Sequence, residues 1–267
     1  LGTSGLSLRT ARVPTTADWL VLLAGFFAAV MNSVAGGGTM LTFPALLAAG
    51  LPPVLANTTS TVALYFGMPG SLWAFRKRLA EVKAWILPLG IVSLLGGFAG
   101  AWLLLRFDES VFERIVPWLL LFATLLFLLN GPIRRWLRKH ETEEPDRPKT
   151  WGIFFQSGVA IYGGYFGAGI GIMMLAGLGV LGLRDVNRMN ALKALLGLLC
   201  NTSAVVLFMI KGAVDWRLAG FLLAGSIPGY FFGSHFAQRI PAVAVRAIVA
   251  IIGISIAAHL FWKQLNP

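Results

Sequence analysis

The sequence predicts an all-α, polytopic membrane protein made of two related halves, and three observations carry that expectation. Of the 267 residues, 57% are hydrophobic and only 12% charged, about half the charged share of an ordinary soluble domain. Apolar runs long enough to span a hydrocarbon core of about 30 Å follow one another with short polar interruptions. The third observation is an internal repeat. Ala35, Gly36, Gly38 and Met40 recur as Ala168, Gly169, Gly171 and Met173, an offset of 133 residues (168 minus 35). The same offset carries Gly25 onto Gly158, Asn57 onto Asn190, Ser93 onto Ser226, Gly96 onto Gly229, Gly100 onto Gly233 and Arg106 onto Arg239, without a gap. A β-barrel would alternate apolar and polar residues in runs of about ten, and that pattern is absent.

The elements follow in order. Residues 1–16 are polar, carry Arg9 and Arg12, and read as an N-terminal tail rather than a cleaved signal. Residues 17–131 form a first membrane repeat with apolar segments near 18–34, 39–50, 57–75, 84–105 and 112–130. Residues 132–150 are the one strongly charged stretch, and their Pro, Arg and Glu content marks a cytoplasmic linker. Residues 151–267 form a second repeat with segments near 152–166, 170–183, 189–210, 217–237 and 243–262. That makes eight to ten membrane segments. The second segment of each half is short for a span, so it either crosses or enters the membrane and returns.

Topology follows from the positive charges. The loop with Arg76, Lys77, Arg78 and Lys83 is basic, and the linker is more so. Placing both in the cytoplasm also places Arg184, Arg188, Arg239 and Arg246 there, and leaves Lys211 and Arg217 outside. This assignment favours inverted repeats, with the second half entering the membrane upside down relative to the first. The net charge of +11 does not indicate nucleic acid, because Lys and Arg sit at the ends of apolar segments. The single cysteine, Cys200, excludes an intrachain disulfide and reads as a small core residue.

Candidate chemistry centres on two glycine-rich breaks, NSVAGGGTMLTFP from Asn32 to Pro44 and YGGYFGAGIGIMM from Tyr162 to Met174. Each glycine in a helix interior costs about 1 kcal/mol relative to Ala. Within a membrane, freed backbone groups are tolerated only where they are buried in protein or face a cavity. An interrupted helix also presents amides at a new N-terminus, where the dipole favours anions. The candidate binding positions are Asn32, Gly36, Gly37, Gly38, Tyr165, Gly167, Gly169 and Gly171 at the breaks, and Asn57, Thr58, Thr59, Ser60, Asn190 and Lys193 on the helices after them.

Asn, Thr and Ser at a helix start can cap it, and they also offer neutral donors to an oxyanion. Lys193 is an ionisable group inside an apolar helix, a functional candidate by default. Close helix packing is the competing account of the glycines, and the better one for the pairs Gly96/Gly100 and Gly229/Gly233. Asn201, Tyr162, His235 and His259 are isolated polar residues, and each histidine reads as buried in the core. No Walker-type loop, HExxH, CxxC or GxSxG motif is present. The chain reads as a non-enzyme, with no cofactor.

These residues resemble a known family. Gly25 to Pro44 followed by GLPPVLANTTST looks like the first half of the TauE/SafE sulfite exporter family, and YGGYFGAGIG followed by LRDVNRMNALK looks like its second half. The resemblance covers about residues 17–259. Where the family commonly has a fourth glycine in the first break, this chain has Thr39. The resemblance implies an inner-membrane permease for sulfite, organosulfonates and related sulfur anions.

The resulting expectation is a secondary transporter, working as an exporter by alternating access at the repeat interface. Its partners would be a small anionic substrate, the lipid bilayer and a coupling proton or ion, with the oligomeric state left open. An anion channel of similar selectivity and a non-transporting membrane assembly partner remain the alternatives.

Overall fold

A computed structural model describes residues 15–34, 37–137, 145–236 and 242–265. Among them there are eleven α-helices and no strand. The first half contains α1 (Thr16–Val34), α2 (Thr39–Ala48), α3 (Pro53–Tyr65), α4 (Met68–Leu79), α5 (Lys83–Arg106) and α6 (Glu109–Leu137). The second contains α7 (Thr150–Tyr165), α8 (Ile170–Val180), α9 (Val186–Ile210), α10 (Trp216–Phe236) and α11 (Ala242–Leu265). The helix starts Pro53, Lys83 and Glu109 recur at Val186, Trp216 and Ala242, each 133 residues on (186 minus 53).

Local chemistry explains most boundaries. Asp18 in the first turn of α1 accepts from the Thr15 amide at 2.7 Å and its hydroxyl at 2.9 Å, which satisfies groups the helix start leaves open. Asp185 caps α9, accepting from the amides of Asn187 and Arg188 at 2.8 Å each. One boundary was not expected. The apolar run near 57–75 splits into α3 and α4, because Pro69 in the first turn of α4 has no amide to donate to the preceding turn. In the other direction, α6 runs on to Leu137, so the start of the charged linker is helical.

Asp185 gives a pH-dependent prediction. The Arg188 amide that it accepts from holds its carboxyl below the ordinary value of 3.8. A lowered folded pKa adds stability above the unfolded value, and that stability is lost as pH falls through the folded value. Asp185→Ala should therefore cost about 1 kcal/mol near neutrality, with the difference from wild type shrinking below about pH 4. Asp185→Asn should be nearly neutral and remove the acid dependence. Thermal unfolding of the purified protein across pH checks both.

The halves are interleaved. α1 lies along α10 in the same direction: the carbonyls of Leu22 and Phe26 meet Gly225 and Gly229, and Asp18 pairs with Arg217. α5 lies along α7 in the same way, with Gly96 against Ala160, Gly100 against Ile161, and Gln156 donating to Ser93 at 2.9 Å. The packing role expected for Gly96, Gly100 and Gly229 is what these contacts show. α6 and α11 run antiparallel, with Trp118 on Phe261 at a ring separation of 5.0 Å and Gly253 against Thr124. α8 doubles back along α7, placing Gly177 on Phe155 and Leu181 on Gly152. The short second segment of this half therefore returns to the end where α7 began.

The larger core joins Met40, Phe43, Phe112, Phe127, Phe166 and Phe208, and a smaller one gathers Trp85, Leu89, Met174, Leu178 and Leu192. Cys200 is fully buried, as expected. The outside is also apolar: Leu87, Leu95, Phe154, Phe231 and Ile251 are exposed, which suits a lipid-facing surface. Phe75–Arg106, Glu109–Leu129 and Val186–Ile210 are long and apolar enough to cross a membrane, each with a mean hydropathy of 1.9. One expectation needs correction. His259 is exposed on α11 rather than buried, because that face of α11 turns away from α6. The side chain of His235 lies outside the described residues.

Candidate functional site

The first break separates α1 from α2. Gly37 adopts φ 89°, a left-handed conformation that side chains other than glycine's rarely take. Asn32, one turn before the end of α1, accepts from the Gly38 amide at 2.7 Å and donates to the Tyr230 hydroxyl at 3.2 Å. One amide freed by this break is thus already capped from within the protein. The Thr42 hydroxyl donates to the Gly38 carbonyl at 3.3 Å, so at its 2.5 Å contact with Ser60 the serine is the donor. Gly36 lies outside the described residues.

The second break separates α7 from α8. Gly167 and Gly169 adopt φ 79° and 80°. The position equivalent to Asn32 is Tyr165, and no side chain caps the start of α8. The Tyr162 hydroxyl donates to the Ala168 carbonyl at 2.7 Å and fixes the loop. Asn57, in the first two turns of α3, donates its Nδ2 to the Tyr165 carbonyl at 3.0 Å. Asn57 is 1% exposed, and its Oδ1 has no partner.

The two breaks share a wall on α6. Gly37 faces the Phe127 ring, and Gly169 faces Ala123 and Leu126, about one helical turn away. Both therefore lie near the middle of α6, well inside the bundle. The aliphatic stem of Lys193 passes over Gly171, its Cδ 3.5 Å from where a β-carbon would stand. Glycine at 171 is what lets the lysine lie against the first turn of α8. Asn190 precedes Lys193 by three residues on the same face of α9 and is half-buried.

The hydroxyls of the ANTTST stretch are largely committed. Thr58 donates to the carbonyls of Val54 and Leu55 at 3.1 Å each, and Thr61 donates to Asn57 at 2.9 Å. Thr59 accepts from the Asp215 amide at 3.0 Å, tying α3 to the start of α10. Thr58, Thr59 and Ser60 are fully buried. Sequence reasoning did not single out Tyr230, Thr42 or the α6 wall at Ala123 to Phe127. Tyr230 follows the repeated Gly229 and Thr42 lies within the first motif, but nothing along the chain marked α6.

The family model described as sulfite exporter TauE/SafE matches residues 21–260. The chain belongs to that family. It is also similar to several curated TauE/SafE-like proteins along nearly its whole length. One from Haemophilus influenzae, named a probable membrane transporter protein, is 28% identical over 252 residues, covering 92% of this chain and 96% of the relative. A Sinorhizobium protein, probable membrane transporter protein ORF9, is 28% identical, with 92% and 93% covered. Probable membrane transporter protein YfcA of Escherichia coli is 26% identical, with 92% and 88% covered. Family membership and the apolar helices together make this a multi-pass membrane protein.

Proposed function

We propose that this TauE/SafE protein is a secondary transporter, working as an exporter of small sulfur-containing anions such as sulfite or organosulfonates. The observation that carries the reading is the start of α8, an uncapped helix N-terminus buried near the middle of the bundle with Lys193 laid across its first turn. Amides at a helix start and an ammonium group together favour an anion. The family name and the names of the relatives support transport, and sulfur oxyanions fit the sign and size of such a site.

The mechanism proposed is alternating access between inverted repeats. α1 begins beside the start of α10, and α7 begins beside the start of α5. The start of α3 meets the end of α7, and the start of α9 meets that of α5 through Glu81 and Arg188 at 2.8 Å. Followed end to end, these contacts set α1 and α7 entering from opposite ends. The α7–α8 hairpin returns, so α9, α10 and α11 supply three further passes, an odd number that keeps the halves opposed. With the basic loops inside, the linker is cytoplasmic and the membrane is the cell inner membrane.

The test is flux. Purified protein in liposomes should move sulfite with a rate that saturates with concentration and responds to an imposed ion gradient. A flux that stays linear with concentration would support the channel alternative. No flux and no sulfur-anion binding would leave the assembly-partner reading.

A further inference from the structure

We propose that the carboxyl end of α7, together with Asn57 Oδ1, is a binding site for a monovalent alkali cation. The hydrogen bonds settle which end of the Asn57 amide is oxygen. The Tyr165 carbonyl can only accept, so the atom facing it is Nδ2. Its Oδ1 is then a buried acceptor without a donor, a state that folded proteins rarely leave uncompensated.

The backbone beside it is in the same condition. A helix end leaves its last carbonyls open. Here the Phe166 and Gly167 amides both fold back onto the Tyr162 carbonyl, at 2.9 and 3.2 Å. Among the described residues, no amide or side chain donates to the carbonyls of Gly163 or Gly164, and both glycines are buried. Several neutral oxygens thus gather where the dipole of α7 is negative, with rings of Phe112 and Phe166 packed around Tyr165. Acceptors of this kind, with no carboxylate among them, suit a singly charged cation. One bound ion would satisfy several of them at once, whereas an anion would meet only lone pairs.

The cation and anion sites lie on either side of one break, at the end of α7 and the start of α8. Cation binding does not depend on which anion is carried, so the two can be read apart.

The test uses the full-length purified protein without any sulfur anion. Its thermal unfolding is followed as NaCl replaces choline chloride at constant ionic strength. The expected result is a saturable rise in Tm with Na+. Asn57→Leu should lose that rise while still eluting as a single species in choline. Should Asn57→Leu fail to fold, Asn57→Asp decides, because a carboxylate at that position should lower the Na+ midpoint by about tenfold. Equal stabilisation in Na+ and choline, an undiminished rise in Asn57→Leu, or an unchanged midpoint in Asn57→Asp would each overturn the site. Sulfite binding measured in choline reports the anion site separately, so its loss would count against the transport reading and leave this one standing.

Discussion

Lys193→Met is expected to reduce sulfite transport into liposomes by about 30- to 150-fold, the consequence of removing one charge contact of about 2–3 kcal/mol from a desolvated site. The lysine stem lies over Gly171 at the start of α8, so its position is set by packing on both helices. Met keeps that stem and removes only the ammonium. Lys193→Arg should retain part of the activity, because the charge remains while the geometry changes. Gly171→Leu should act through the same contact, pushing the lysine away from the break. Arg184 provides the control: it is exposed before the start of α9, and Arg184→Ala should leave transport within a fewfold of wild type. Undiminished flux in Lys193→Met would sink the assignment of α8 as the anion end.

The largest stability effect is expected at Gly164. A β-carbon there would stand 2.0 Å from the Gly97 carbonyl oxygen, with no flexible side chain able to yield. Gly164→Ala therefore forces α5 and α7 apart, and the expected cost is about 3 kcal/mol or more. Detergent-solubilised Gly164→Ala should unfold well below wild type or fail to assemble.

A matched pair makes the argument sharper. Gly25 and Gly158 are repeat equivalents, yet a β-carbon at Gly25 would meet the Leu222 carbonyl at 2.4 Å, while at Gly158 nothing lies within 4 Å. Gly25→Ala should destabilise, and Gly158→Ala should be neutral or stabilise by up to about 1 kcal/mol through helix propensity. Equal effects at the two positions would contradict the α1–α10 contact.

That pair also shows what local sequence can and cannot carry. The two glycines are indistinguishable in the repeat, because what separates them is a helix nearly 200 residues away. The same holds at the breaks. Asn32 stood out as a polar residue in an apolar run, but its bond to Gly38 needs the turn that folds α2 back. Asn57 was marked by its motif, whereas its contact with Tyr165 joins residues from different halves. Thr58 and Ser60 looked like open hydroxyls, and helical geometry hands their protons to nearby acceptors.

The sequence by itself determined the helices, the doubling and the family. Apolar length, glycine breaks, prolines and caps act within a few residues and are written along the chain. Most segment limits read from it fall within a few residues of the helices observed. Only the tertiary structure decided that α8 returns along α7, that α6 forms the wall both breaks share, and that the two breaks are chemically unequal. In the first, Asn32 caps a freed amide; in the second, the helix start stays open beside Lys193, with an unpartnered Asn57 oxygen across the loop. The reason is physical. Hydrogen-bond satisfaction and close packing in the bundle interior are set by which helices meet, and those partners lie a hundred residues or more apart.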